Sequence, residues 1–351
     1  MSHARSRSRS RVISVAVVGS LLLLAGILLS ALMGQLPVSV PDVVGTILAS
    51  VGFDNPWTPD DQVVRSALQI VRFPRILMAV AVGAALAVAG AVMQAIFGNP
   101  LAEPGVVGVS AGAALGAATG IVTGAALFGD GAIALFAFVG GLLATFLVYF
   151  VARSGGRTEV VTLLLTGIAV NAFAGAGLAF LLFMADSASR EQIIFWQLGS
   201  LGGSLWPEAL LVLIVMVLGT IAALLLARRY DLLALGDRNA RHLGVDVERL
   251  RIISIVLVAV LTAVGVAFVG IISFVGLIVP HLVRMLVGPG HRPLLALSAL
   301  GGAVLLVLAD LLARTLISGA ELPIGLLTSL VGGPFFFLLL WRQRRRAGGW
   351  A

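Results

Sequence analysis

Apolar residues along the 351-residue chain arrive in long blocks, each closed by Gly, Pro or a pair of charges. Ten blocks are distinguishable, over 13–33, 76–97, 106–127, 131–152, 160–185, 207–227, 252–272, 274–287, 294–317 and 322–341. Most contain the roughly 20 residues that a helix needs to cross a bilayer. The eighth is shorter and contains Pro280. The pattern predicts an all-α, polytopic membrane protein of about ten transmembrane helices. No period-two alternation with polar lumen positions occurs, which excludes a membrane β-barrel. Residues 1–12 are Ser- and Arg-rich and are expected to fray. A cleaved signal peptide is the alternative for the first block, but 13–33 is long for that role. Residues 35–69 read as a polar, Pro-bearing segment without a span. Residues 186–206 read as amphipathic and interfacial, with Trp196 and Trp206 as anchors.

Two blocks carry more than hydrophobicity. The third has Gly108, Gly112, Gly116, Gly120 and Gly124, four residues apart on one helical face. Such a face lets a second backbone approach closely. The fifth carries Thr162, Thr166 and Asn171 on an otherwise apolar helix. Polar groups there either line a water-filled path or bond to a neighbouring helix.

Residues 228–251 form a charged polar island between two long apolar runs. It contains six Arg and four acidic residues. A break at Gly236-Asp237 precedes Ala240, Leu243 and Val247 at helical spacing, interrupted at Gly244. This predicts short amphipathic helices on the membrane surface, with an apolar edge offered to a soluble partner. An ordinary basic loop is the alternative.

Composition narrows the chemistry. The chain is 60% hydrophobic and 11% charged, with mean hydropathy +1.10. The net charge of +7 sits at the ends of apolar runs, so it speaks to orientation and not to nucleic acid. All 23 basic residues are Arg. Without Lys the chain cannot form a phosphate-binding P-loop, so it is not itself the usual ATPase. Without Cys it forms no disulfide or thiolate metal site. His3, His242, His281 and His291 lack metal-ligand spacing. With both termini placed inside, 18 Arg lie on the inner side, leaving five outside: Arg65, Arg72, Arg75, Arg190 and Arg314. That bias predicts cytoplasmic termini and a cytoplasmic 228–251 loop. Arg72, Arg75 and Arg314 break the rule, and Asp310 is placed for an i,i+4 pair with Arg314. Cations kept outside suggest an acidic partner there; helix-end snorkelling is the bland alternative.

Several blocks in order resemble one family, the permease subunits of ABC importers for iron complexes and vitamin B12. They are Arg72-Phe73-Pro74-Arg75, Gly83 to Ala87, Gly90 to Gln94, Asn99 to Pro104, Ala234 to Asp237 with Ala240, Leu243-Gly244-Val245, Phe274 to His281 with Arg284, and Asp310, Arg314 and Glu321 to Gly325. The resemblance spans about 60–341. It implies the type II importer permease fold: a basic N-terminus over 1–12, one transmembrane domain over 13–341, and a cytoplasmic tail over 342–351. It implies a multi-pass protein of the bacterial inner membrane. Its partners would be two cytoplasmic ATPase subunits, a soluble substrate-binding protein and a second permease copy, simplest as a homodimer. No cofactor is expected in this chain; ATP and Mg would sit on the ATPase. Leu235, Gly236, Asp237, Ala240, Arg241, Leu243 and Gly244 match the family's ATPase-docking loop. Arg72, Arg75 and Arg314 match the outer arginines that pair with the binding protein. Ile194 to Leu201 and Gly288 to Arg292 look most similar to the heme branch, with ferric siderophore or vitamin B12 as the alternative cargo.

The resemblance further implies alternating access, with motion of the docking loop passed to a gate near Glu159, Val160, Val161, Thr162, Thr166 and Asn171. The competing class is a secondary transporter, which needs ionisable residues near mid-membrane and broken helices in paired halves. Asp310 is the main acidic residue within a span, and no inverted repeat is evident. A membrane enzyme would need an acid–base or nucleophile cluster, and none is evident.

Overall fold

The computed structural model describes residues 2–129, 131–154, 157–317 and 319–346. In chain order its helices are α1 (Ser2–Leu32), α2 (Val40–Ser50), α3 (Gln62–Ser66), α4 (Phe73–Phe97), α5 (Val109–Val122), α6 (Ala132–Ala152), α7 (Val160–Met184) and α8 (Ser187–Leu198). After these come α9 (Trp206–Leu233), α10 (Asp237–His242), α11 (Val247–Val269), α12 (Val275–Val287), α13 (His291–Thr315) and α14 (Ile324–Arg346). A two-residue antiparallel pair, β1 (Arg153–Ser154) with β2 (Arg157–Thr158), turns the chain between α6 and α7.

The ten apolar blocks become α1, α4, α5, α6, α7, α9, α11, α12, α13 and α14, but their lengths differ from expectation. The basic residues from Ser2 onward continue α1 as helix instead of fraying. The segment before the second block is largely helical. α3, a π-helical turn over Ala67–Arg72 and α4 form one apolar run over Gln62–Phe97. A π turn loosens the backbone ladder; there the Trp206 Nε1–H donates to the Gln69 carbonyl at 2.7 Å. α2 is held by a capping box, in which Ser39 and Asp42 each accept from the other's end of the turn. The Ser39 bonds hold the Asp42 carboxyl below its usual range. At α8, Asp186 accepts from the Ser189 N–H at 2.7 Å, which likewise lowers the Asp186 carboxyl.

α5 and α12 have 14 and 13 residues. Each rises about 20 Å at 1.5 Å per residue, short of the ~30 Å hydrocarbon layer. Each is preceded by backbone that leaves the α-helical path, over 98–108, which includes a 3-10 turn at Pro104–Val107, and over 270–274.

α4 is the axis of the bundle. Of its most apolar window, 89% is buried, and it packs on α9, α11, α12 and α13. α4 and α13 are antiparallel: Arg75 meets Asp310 near one end, and Gly83 meets Gly302 further in. α1 runs parallel to α13, since Gly19 faces Leu300 and Gly26 faces Val307. The starts of α1 and α13 and the end of α9 therefore share one end of the bundle, called here the basic end. Arg75, Asp310 and Arg314 lie at the opposite end.

In lipid, helices gain little by burying apolar surface, and close van der Waals contact decides their pairing. Gly90 abuts the Gly276 backbone, Gly83 and Gly302 abut each other's carbonyls, and Gly112 and Gly116 abut the Gly140 and Phe136 carbonyls. The glycine face of the third block is thus a packing face between α5 and α6. A Cβ at Gly90 would overlap the Gly276 carbonyl oxygen. We therefore expect Gly90→Ala to destabilise the protein by about 1–3 kcal/mol. Gly175→Ala, with open space around it, should change stability by less than about 0.5 kcal/mol. Thermal unfolding in detergent checks both.

Candidate functional site

At the basic end the chain between α9 and α11 forms a surface elbow. α9 continues through Arg228, Arg229 and Asp231 to Leu233, so only six residues, Asp237–His242, form a separate helix. Gly236 enters α10 with φ +94, and Gly244 leaves it with φ +85, values that side-chain-bearing residues rarely adopt. The exit is a Schellman motif: Val245 N–H bonds to Ala240 O at 3.0 Å and Gly244 N–H to Arg241 O at 3.0 Å. Asp246 then caps α11 by accepting from the Arg249 N–H at 3.0 Å.

Ala240 is completely buried, whereas Leu235 and Leu243 are each 57% exposed. Of the expected docking residues, Ala240 therefore anchors the elbow from within, while Leu235 and Leu243 are its accessible apolar side chains. Asp237 pairs with Arg251 at 2.9 Å, tying α10 to α11; its contact with Arg241 is looser, at 4.0 Å. Beside the elbow, one Asp231 oxygen accepts from both the His291 backbone N–H at 2.8 Å and the His291 Nδ1 at 2.7 Å. This joins the last turn of α9 to the first of α13. Asp231 was not singled out from sequence, because its partner is 60 residues away.

At the opposite end, Arg72, Arg75 and Arg314 come together, but with internal partners. Arg72 donates to the carbonyls of Ala31, Leu32 and Leu36. Arg314 donates to the Ser30 carbonyl and hydroxyl and, at 3.1 Å, to the Met33 carbonyl. The orphan carbonyls that end α1 are thus capped by two guanidinium groups, where the helix dipole favours positive charge. Arg75 bridges Asp310 and Glu321, at 2.9 Å each. Arg314 completes the cluster with an ion pair to Asp310 at 3.4 Å, the expected i,i+4 contact. Arg72 and Arg75 are only 5% and 6% exposed, and Asp310 1%. Neither free helix-end snorkelling nor an open basic patch describes these side chains. Glu321, with 43% of its side chain exposed, is the accessible member of the cluster.

The residues expected at a gate begin α7. Thr162 Oγ1 donates to Glu159 at 3.1 Å, and Val161 is exposed. Val160 starts the helix, and its side chain lies outside the described residues. Thr166 is half-buried. Asn171 Nδ2 donates to the Gly105 carbonyl at 3.3 Å, so Asn171 bonds α7 to the irregular segment before α5. The last positions of the expected tail, 347–351, are outside the described residues; 342–346 continue α14.

Among the described residues no group of three or more His, Cys, Asp or Glu could hold a metal ion. The arrangement therefore defines a helical membrane protein with a surface elbow at one end and an ionic clasp at the other. The match to a family model is direct: residues 6–342 fit the FecCD transport family, and the chain belongs to it, as a transmembrane permease of the ABC importer class.

The chain is 43% identical over 284 residues to the hemin transport system permease protein HmuU of Yersinia pestis, covering 80% of this chain and 84% of that one. It is 42% identical to the cobalamin import system permease protein BtuC of Halobacterium salinarum, covering 79% and 74%. The Fe(3+)-citrate import system permease protein YfmD of Bacillus subtilis is 35% identical over 98% of this chain and 99% of its own. The solved inward-facing conformation of a putative metal-chelate type ABC transporter superposes with TM-score 0.81 at 34% identity, covering 93% of this chain and 98% of that one.

Removing one partner from a buried ion pair leaves a charge without compensation. We expect Arg75→Met to cost about 3–5 kcal/mol, and Arg75→Met with Asp310→Leu to recover much of that loss. Thermal unfolding in detergent measures both.

Proposed function

We propose that this chain is the membrane subunit of an ATP-driven importer that carries heme across the bacterial inner membrane, with both termini and the 228–251 elbow in the cytoplasm. The elbow is the observation that carries the reading. It is a six-residue helix held between two left-handed glycines and tied to α11 by Asp237–Arg251, with Leu235 and Leu243 offered outward. A rigid apolar edge of that kind suits a separate ATPase subunit, two per transporter, each holding ATP and Mg. Closure of the ATPase pair would move α10, and the shared core around Ala240 and Leu250 would pass that motion to α4 and α9. The gate would sit at the start of α7, around Glu159 to Thr162.

α7 has only 17% of its apolar window buried. That open face suits a second copy of this chain, so the working unit would be a homodimer around a central path. A soluble binding protein would dock at the far end. Three Arg against Asp310 and Glu321 leave a residual charge of +1 in that cluster, which favours an acidic partner. Arg75 would then exchange Glu321 for a carboxylate of that protein. Heme is preferred as cargo on the similarity to the hemin permease and on the 194–201 segment.

The assembled complex in proteoliposomes, with ATPase and binding protein, tests this reading. Heme uptake should require ATP and persist when the proton gradient is collapsed. Gly244→Val or Asp237→Asn should reduce cargo-stimulated ATP hydrolysis by about tenfold or more, that is ~1.4 kcal/mol of coupling, with assembly intact. Uptake driven by the gradient alone would sink the ATP-driven reading. Preferential uptake of ferric citrate or cobalamin would reassign the cargo.

A further inference from the structure

Between the two short helices lies a small polar cavity of about 40 Å³, lined by Leu86, Glu103, Pro104, Gly105, Ser110, Thr262, Ile272, Ser273, Phe274 and Gly276. Its depth follows from α4. Leu86 is thirteen residues from Phe73 and eleven from Phe97, the two ends of α4 (86 − 73 and 97 − 86), or about 20 and 16 Å along the helix. The chain leaves α4 at the basic end and returns to mid-depth before α5 begins. The backbone before α12 arrives at the same level, where Phe274 adopts φ +68, the one non-glycine residue with positive φ among those described. Irregular backbone at membrane depth is tolerated where it is enclosed by protein or lines a polar space.

Two features of the lining stand out. Glu103 makes no ion pair among the described residues. No cation lines the cavity, and His281 and Arg284 lie five and eight residues beyond Gly276 on α12, about 8 and 12 Å along its axis. Arg284 instead donates to Gln94 at 3.3 Å, whose Nε2 bonds to the Leu277 carbonyl at 3.3 Å. From α7 the group facing this segment is the uncharged Asn171. The second feature is Thr262. It is 2% exposed, and its Oγ1 has no hydrogen-bond partner. Thr46, Thr119, Thr145, Ser254 and Thr315 all donate to the carbonyl four residues earlier. Thr262 forgoes that bond and lines the cavity.

A lone carboxyl at mid-membrane is costly as an anion without a counter-charge. The space admits a small occupant, since one water needs about 10–15 Å³. A carboxylate with three hydroxyls is an all-oxygen donor set suited to a hard cation.

We propose that this cavity binds a sodium ion between Glu103, Thr262, Ser110 and Ser273, and so joins the segments before α5 and α12. Occupancy would pin the two irregular segments together at the centre of the bundle. The site stands on its own geometry and does not depend on cargo or ATPase.

The test uses the full-length chain in lipid nanodiscs, titrated with sodium against choline at constant ionic strength and, separately, with pH in choline. Thermal unfolding is the readout. A saturable stabilisation by sodium that Glu103→Gln abolishes, and that Thr262→Val weakens about tenfold in apparent affinity, identifies sodium. A stabilisation on lowering pH that Glu103→Gln abolishes, with no sodium response, is uptake of a proton by the Glu103 carboxyl alone and overturns the proposal. Glu103→Asp, which keeps the carboxyl, should keep the sodium response and guards against a folding defect in Glu103→Gln. No response to sodium, or the same response in Glu103→Gln and the unaltered protein, likewise overturns the proposal.

Discussion

Close backbone contact around α4 is the constraint on which the other features rest. Lipid supplies no reason for apolar helices to prefer each other to acyl chains, so pairing depends on how near two backbones can come. Gly83 against Gly302 and Gly90 against Gly276 bring α13 and α12 onto α4 at carbonyl distance. These contacts set the depth of α12, and hence the level at which the backbone before it must unwind. They also hold Asp310 of α13 within reach of Arg75 of α4.

Charge is then placed by that frame. At the far end, Arg72 of the π turn and Arg314 of α13 cap the open carbonyls of α1, while Arg75 of α4 neutralises Asp310 and Glu321. At the basic end, Asp231 of α9 takes the first backbone donor of α13. α13 is therefore fastened at both ends by polar contacts and along its middle by glycine packing. A force applied near the elbow meets a helix of 25 residues that reaches the opposite clasp. That continuity connects a cytoplasmic engine with an outer docking face in the proposed importer. Glu321, exposed and already paired with Arg75, is the place where an acidic partner would compete with an internal one.

The membership in the FecCD family and the elbow belong together physically. The chain has no Lys and so no P-loop, and in the proposed importer the drive would come from a separate subunit. The elbow presents only two large apolar side chains, Leu235 and Leu243, on a frame whose glycines allow sharp entry and exit. Its Ala240 is buried because a small residue lets α10 lie flat on the core.

Much of this was legible in the residue order. Runs of some twenty apolar residues can only be helices in a bilayer, because every backbone group must bond within its own segment. The glycine spacing of the third block announced close packing, and the Gly236 and Gly244 breaks announced the elbow, since local backbone preference is a property of neighbouring residues. Tertiary structure decided what depends on distant partners. Arg72, Arg75 and Arg314 read as outward-facing cations until the chain at the end of α1, 36 to 41 residues from Arg72, was seen to use Arg72 and Arg314, and Asp310 and Glu321 to use Arg75. α5 read as a full span, and α12 as a short one, until their depth against α4 showed that each begins near the middle of the bundle. Glu103 read as part of a loop, because hydropathy along a chain cannot show that a loop folds back to the level of Leu86.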